Sequence, residues 1–171
     1  MGVFGGSFNP PHVGHLMAAV YSLKVFDLDE VWFVPTYRHP FLKRSAPFST
    51  RVRWCKKLIS NLGPRFRVST IERELKGDGK TLHTLMALKR RFPKKQFRLI
   101  IGSDLLRERR SWYRFPEIER RFGVLIVPRK GSSKSPFALP NVSSSEVRRR
   151  LRSKKSLADL LTPAVARTLR S

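Results

Sequence analysis

Acidic residues are scarce in this chain of 171 residues: 12 Asp and Glu stand against 36 Lys and Arg, for a formal net charge of +24. So few carboxylates leave little material for a metal cage. The positive field attracts polyanions such as nucleotides, pyrophosphate and nucleic acid. Cysteine is nearly absent. Cys55 stands alone, which excludes an intrachain disulfide and a cysteine metal cluster and favours a reducing, cytoplasmic setting. No apolar run approaches the roughly 20 residues of a membrane span. A secretory signal is not expected either, because the start of the chain carries a glycine turn and no basic leader. There is no internal repeat and no sign of a second domain, so residues 1–171 read as one domain. Their 40% hydrophobic content is enough for a proper core. The basic runs (Lys89-Arg90-Arg91, Arg107 with Arg109-Arg110, Arg120-Arg121, Arg148-Arg149-Arg150 and Lys154-Lys155) lie between apolar residues on helical stretches and read as solvated faces. Only Arg148 sits within a motif.

Short apolar runs alternate with helical patterns. Strands are expected at Gly2–Phe4, Val31–Val34, Arg65–Ser69, Phe97–Ile101 and Val124–Val127, with helices near His15–Lys24, Thr50–Asn61 (Ser49 as N-cap), Thr81–Arg91 and Pro116–Arg121. The C-terminal third reads as all-helical, with one helix from Ser144 and another through Leu157–Leu169, and Pro128–Pro140 reads as a surface loop. This order predicts an α/β fold: a doubly wound, Rossmann-like parallel sheet of about five strands with a helical C-terminal part. Such a sheet opens its ligand crevice at the carboxyl ends of its strands, where Phe4, Pro35-Thr36, Ile101-Gly102-Ser103-Asp104 and Pro128-Arg129 fall.

Two motifs sit at that edge. Phe4-Gly5-Gly6-Ser7-Phe8-Asn9-Pro10-Pro11-His12-Val13-Gly14-His15 joins the first strand to the first helix. Its glycines let the backbone approach an anion, and the helix N-terminus points free N–H groups at it. His12 and His15, three apart, can face one ligand. The second motif is Asn141-Val142-Ser143-Ser144-Ser145-Glu146-Val147-Arg148. Ser143 and Glu146 have capping-box spacing, and Arg148 adds a fork that suits a phosphate.

Together these motifs, G-G-x-F-x-P-x-H-x-G-H and a late S-S-S-x-V-R, resemble the nucleotidylyltransferase superfamily. Further segments narrow the resemblance to bacterial nicotinate-mononucleotide adenylyltransferases. Ile71-Glu72-Arg73-Glu74-Leu75 is similar to an E-x-E-L segment, and Lys80-Thr81-Leu82-His83-Thr84-Leu85 to S-Y-T-x-x-T-L. Ile101-Gly102-Ser103-Asp104 with Trp112-Tyr113 resembles I-G-x-D…W-Y, and Leu157–Val165 resembles a terminal D-L-L-P-x-x-V helix. The resemblance runs from Gly2 to about Leu169. Three departures stand out. His39-Pro40-Phe41-Leu42-Lys43 takes the place of a P-P-H-K loop, Lys80 and His83 replace the Y and D of Y-T-x-D-T-L, and the stretch between Pro128 and Asn141 is short.

The resemblance implies transfer of AMP from ATP to nicotinate mononucleotide, giving nicotinate adenine dinucleotide (deamido-NAD) and pyrophosphate, a step of NAD biosynthesis. It implies His12, His15 and Arg148 as catalytic groups. Gly5, Gly6, Ser7, Phe8, Lys43, Gly102, Asp104, Ser143 and Ser144 would contact ATP and its phosphates. Thr81, Leu82, Trp112 and Tyr113 would contact the pyridine nucleotide. Mg²⁺ would ride on the ATP phosphates, with no protein metal site. The partners expected are small-molecule nucleotides, without a membrane and with nucleic acid held only non-specifically through net charge; a homodimer is left open. Two alternatives stand beside this reading: a related adenylyltransferase acting on nicotinamide mononucleotide or phosphopantetheine, and a basic nucleic-acid-binding protein.

Overall fold

The computed structural model describes residues 1–38, 45–76 and 78–170. Five parallel strands, β1 (Gly2–Gly6), β2 (Val31–Pro35), β3 (Phe66–Val68), β4 (Arg98–Gly102) and β5 (Val124–Val127), form one sheet in the order β3-β2-β1-β4-β5. Each strand lies within two residues of its expected bounds. The strands are near-continuous apolar runs because helices cover both faces of the sheet. Side chains alternate across it: Val31 and Phe33 of β2 join Ile100, Leu125 and Val127 on one side. Trp32 and Val34 join Val3, Leu99 and Ile101 on the other.

The first face is covered by α1 (Val13–Val25), α2 (Phe48–Ile59), α6 (Ser144–Arg152) and α7 (Pro163–Arg170). The second is covered by α3 (Ile71–Glu74), α4 (Thr81–Arg91) and α5 (Phe115–Phe122). No helix among the described residues is long and apolar enough to cross a membrane.

Several local expectations change. α2 begins at Phe48 behind Pro47, whose backbone is extended, so Ser49 lies in the first turn and is not the cap. The last helix is shorter than Leu157–Leu169. Residues from Leu157 form turns, and the helix starts at Pro163, which lacks the N–H needed inside a helix but suits its first position. The Ser143–Glu146 capping box is half formed. Ser143 Oγ accepts the Glu146 N–H at 3.2 Å, but the Glu146 carboxylate turns outward to Arg149 and Arg150. α3 and a 3₁₀ segment, Ser103–Ser111, were not expected from the pattern. The loop from Pro128 to Pro140 closes on itself, with the Leu139 N–H bonded to the Pro128 carbonyl and the Lys130 N–H to that of Leu139, both at 2.8 Å.

Strand order reverses between β1 and β4, and the crevice of a doubly wound sheet opens at that point. The glycine turn after β1 and Gly102–Asp104 after β4 are its two lips.

Candidate active site

The turn after β1 is held from three sides. Phe8 has a left-handed backbone (φ +48°) that buries its ring, which meets Phe4 at 5.8 Å, Phe33 at 5.5 Å and His15 at 4.9 Å between centroids. Its side chain is therefore core, and only its backbone can serve a ligand. Behind the turn lies Arg51 of α2, 3% exposed. Its guanidinium donates to the carbonyls of Ser7 (2.8 Å), Thr36 (2.8 Å) and Ala46 (3.0 Å). One fork thereby ties the segment after β1 to the segment after β2. Burial lowers its pKa, but an arginine remains charged, so a cation lies directly under the turn. Asn9, also buried, accepts the Ala46 N–H on Oδ1 at 3.1 Å.

His12 is the N-cap of α1 and is 3% exposed. Its backbone N–H donates to His15 Nδ1 at 3.1 Å, and the two rings lie 3.8 Å apart at 35°. Gly14 leaves room beside the rings: a Cβ there would stand 3.0 Å from His12 Nδ1 and 3.2 Å from Val142 Cβ, tight enough to push either by a few tenths of an ångström. Burial, together with the Arg129 cation, pushes the His12 pKa down to about 3. His15 is pushed well below its ordinary value by burial, by His12 and by Arg129. Both imidazoles are therefore neutral at neutral pH. His15 accepts at Nδ1, so it carries its proton on Nε2 and can still donate from there.

The second motif meets the first. Ser144 Oγ donates to the Pro10 carbonyl at 2.8 Å. Arg148 donates to the Asn9 carbonyl at 2.7 Å and to Ser145 Oγ at 3.0 Å. The N-termini of α1 and α6 thus open beside one turn, where backbone N–H groups and dipoles favour an anion. Arg129, which follows β5, completes this half. It donates from its side chain to the Val142 carbonyl at 2.9 Å and from its backbone to Ser103 Oγ at 2.9 Å, and its buried Nε has no partner.

The other half surrounds β4. A Cβ on Gly102 would collide with the Asp104 carboxylate, so glycine is required for that side chain to fold back over the strand end. Asp104 is exposed. Trp112 is half-buried and meets Phe115 edge-on at 5.8 Å. Thr81 is half-buried at the start of α4, while Leu82 is 1% exposed and belongs to the core, so only its backbone can reach a substrate. Gly5, Gly6 and Ser7 line the turn, and Ser143 is exposed at the start of α6. Lys43 lies outside the described residues. Neither Arg51 nor Arg129 lies in a motif. For Arg129 the signal was its place at a strand end; Arg51 had none.

The chain matches the cytidylyltransferase-like family model over residues 3–150. It is 41% identical over 170 residues to a protein of Anaeromyxobacter dehalogenans named "Probable nicotinate-nucleotide adenylyltransferase", covering 96% of this chain and 90% of that one. It is 37% identical over 177 residues to a protein of the same name from Bacteroides fragilis, covering 96% and 88%. Among solved structures, the Plasmodium falciparum nicotinic acid mononucleotide adenylyltransferase complexed with NaAD shares the fold, with a TM-score of 0.82, 20% identity and coverage of 99% of this chain and 94% of that one. A family model over most of the chain and relatives 37% and 41% identical along nearly its full length place this chain in the cytidylyltransferase-like family and, within it, among the nicotinate-nucleotide adenylyltransferases.

Proposed function

We propose that this protein transfers AMP from ATP to nicotinate mononucleotide, releasing pyrophosphate and forming nicotinate adenine dinucleotide for NAD biosynthesis. The observation that carries the reading is the contact of Ser144 and Arg148 with the carbonyls of Pro10 and Asn9, which brings two anion-binding helix starts to one turn. A phosphate oxygen of nicotinate mononucleotide attacks the α-phosphorus of ATP in line, and the bond to pyrophosphate breaks. The nucleophile is already an anion, so no base has to take a proton, and the protein's work is positioning and charge stabilisation.

His15 donates from Nε2 to the α-phosphate, with His12 beside it. The amides of Gly6, Ser7 and Phe8, behind Gly5, cradle phosphate oxygens. Arg148 exchanges its carbonyl and hydroxyl partners for the β- and γ-phosphates, with Ser143 and Ser144 at the helix start. Gly102 and Asp104 face the adenosine ribose. Trp112 stacks on the pyridine, and Thr81, the Leu82 backbone and the Tyr113 N–H receive its carboxylate. No group of three or more His, Cys, Asp or Glu among the described residues is arranged to hold a metal. Mg²⁺ would be carried in on the ATP phosphates, where it would neutralise charge on the leaving group. The single buried cysteine supports a reducing, cytoplasmic setting.

The test is to incubate purified protein with ATP and nicotinate mononucleotide and to measure dinucleotide and pyrophosphate, with nicotinamide mononucleotide and phosphopantetheine as competing acceptors. Equal formation of both products supports the reading. Turnover of a different acceptor alone overturns the substrate, and no turnover overturns the function.

A further inference from the structure

The segment that carries Trp112 and Tyr113 is weakly built. Ser103–Ser111 is a 3₁₀ run of 9 residues, well beyond the three or four that such geometry usually sustains. Within it only Ser103 is buried, while Leu105 and Leu106 are partly buried against the core. A run of this kind has low local stability unless something tethers it. The tether is visible at Tyr113. That side chain is 45% exposed, yet its ring is held on two sides. The His83 ring meets it edge-on at 5.3 Å and 67°, and Lys80 Nζ sits 4.8 Å from its centroid. Both of these residues are fixed by one carboxylate. Asp78 Oδ2 pairs with Lys80 Nζ at 3.0 Å and with His83 Nδ1 at 3.1 Å, and Oδ1 accepts the Lys80 backbone N–H at 3.0 Å. Lys80 and His83 are the two positions at which this chain departs from the Y-T-x-D-T-L pattern that its α4 segment otherwise resembles.

We propose that Asp78, Lys80 and His83 form a clamp on Tyr113 that pins the Trp112-bearing segment to the start of α4 and so determines specificity and affinity for the pyridine nucleotide. The three are positioning residues, acting through Tyr113 and Trp112. The proposal rests on the adenylyltransferase reading for the identity of its substrate, but the tether itself does not depend on that reading. A cation over an aromatic face and an edge-on aromatic pair are both directional contacts, so they fix the ring's place as well as its burial. The phosphate side of the crevice is built from β1, α1 and α6, none of which carries Asp78, Lys80 or His83.

Asp78 and His83 are exposed, so their replacement leaves the core intact. The experiment compares wild type with Asp78→Ala, His83→Ala, Lys80→Gln and Lys80→Arg in the full chain. Asp78→Ala is expected to raise KM for nicotinate mononucleotide about tenfold, equivalent to about 1.4 kcal/mol. KM for ATP should stay within about twofold and kcat should change little. Lys80→Gln and His83→Ala should each give a smaller rise of the same kind, and Lys80→Arg should restore most of it, since a guanidinium also stacks over an aromatic face. A second readout needs no turnover. Trp32 and Trp54 are buried at 6% and 7% exposure, so acrylamide quenching reports mainly on Trp112. Quenching should increase in Asp78→Ala relative to wild type. Unchanged quenching, or KM values for both substrates rising together, overturns the clamp. A wild type that fails to make the dinucleotide overturns the substrate reading instead, and the quenching comparison still decides the tether.

Discussion

His15 takes the backbone N–H of His12 on its Nδ1 at 3.1 Å, and this one bond decides which of its nitrogens can face a substrate. A neutral imidazole accepting at Nδ1 has its proton on Nε2. The side chain is thus set as a donor before any ligand arrives, with Phe8 and Phe4 packed against its ring.

Removing that donor should slow chemistry more than binding. His15→Ala is expected to lower kcat by roughly 10²–10³, the usual cost of losing one donor to developing charge. Its circular dichroism should stay close to wild type while its melting temperature falls, because the His12 N–H loses its acceptor and the Phe4 and Phe8 rings lose a neighbour. Steady-state kinetics with both substrates checks this, and near wild-type turnover would remove His15 from the mechanism.

Arg148 predicts a different split. In the free protein its guanidinium is engaged with Asn9 and Ser145, contacts it can exchange for phosphate oxygens. Arg148→Ala should raise KM for ATP and lower kcat while KM for the pyridine nucleotide changes little. Arg148→Lys should recover only part, because the two-pronged geometry is lost. Unaltered kcat and KM for ATP would reduce the second motif to a helix cap.

The pH dependence of stability follows from His12 and His15. Both pKa values lie below the ordinary histidine value in the native state, that of His12 at about 3, first through burial and then through Arg129, with His12 also acting on His15. Between the unfolded value of about 6.5 and these lower values, the unfolded chain takes up protons that the native protein refuses. Stability is therefore complete above about pH 6.5 and falls as pH drops, by up to roughly 1.4 kcal/mol per histidine per pH unit. Urea midpoints at pH 7.5 and pH 5 should show the loss, and His12→Asn should reduce it. An identical pH dependence in the variant would mean that His12 is not buried as described.

Arg51 tests the scaffold behind the phosphate turn. Arg51→Met leaves the carbonyls of Ser7, Thr36 and Ala46 without their donor. It should cost at least about 2 kcal/mol in denaturant unfolding, since buried polar groups left unpaired are expensive, and it should raise KM for ATP as the turn loosens. A variant as stable as wild type would show that these contacts are dispensable.

Substrate choice gives the last prediction. Around Trp112 the chain has Arg107, Arg109 and Arg110 against Asp104 and Glu108, while Arg114 is paired with Glu117 at 2.9 Å. This local field favours a carboxylate over a carboxamide. The kcat/KM for nicotinate mononucleotide should exceed that for the amide, and Trp112→Ala should raise KM for the pyridine nucleotide alone. Equal values for acid and amide would overturn the preference and leave the class of reaction standing.

The sheet and the glycine–histidine turn were legible in the sequence because each leaves a local signature: β2 is a buried apolar run, and His12, Gly14 and His15 are chemically distinctive and close together. Arg51 was not legible, because its partners are backbone carbonyls 5 to 44 residues away and a carbonyl has no residue identity; the strand-end place of Arg129 was visible, but its bond to the Val142 carbonyl 13 residues on was not. The 3₁₀ segment hid for another reason. Arg107-Glu108-Arg109-Arg110 has no apolar period, so only the folded chain shows it as ordered. Leu82 shows the converse: its motif position suggested a substrate contact, while its side chain is spent on the core.

The contacts that join the two motifs span 134 residues between Pro10 and Ser144 and 139 between Asn9 and Arg148. On the ribosome Pro10 emerges 134 residues ahead of Ser144, so the glycine turn waits for its other half. A nascent chain that ends before Asn141 therefore carries the first motif without the second. Those contacts form only once Ser144 and Arg148 have been made, so they take no part in guiding the early steps of folding.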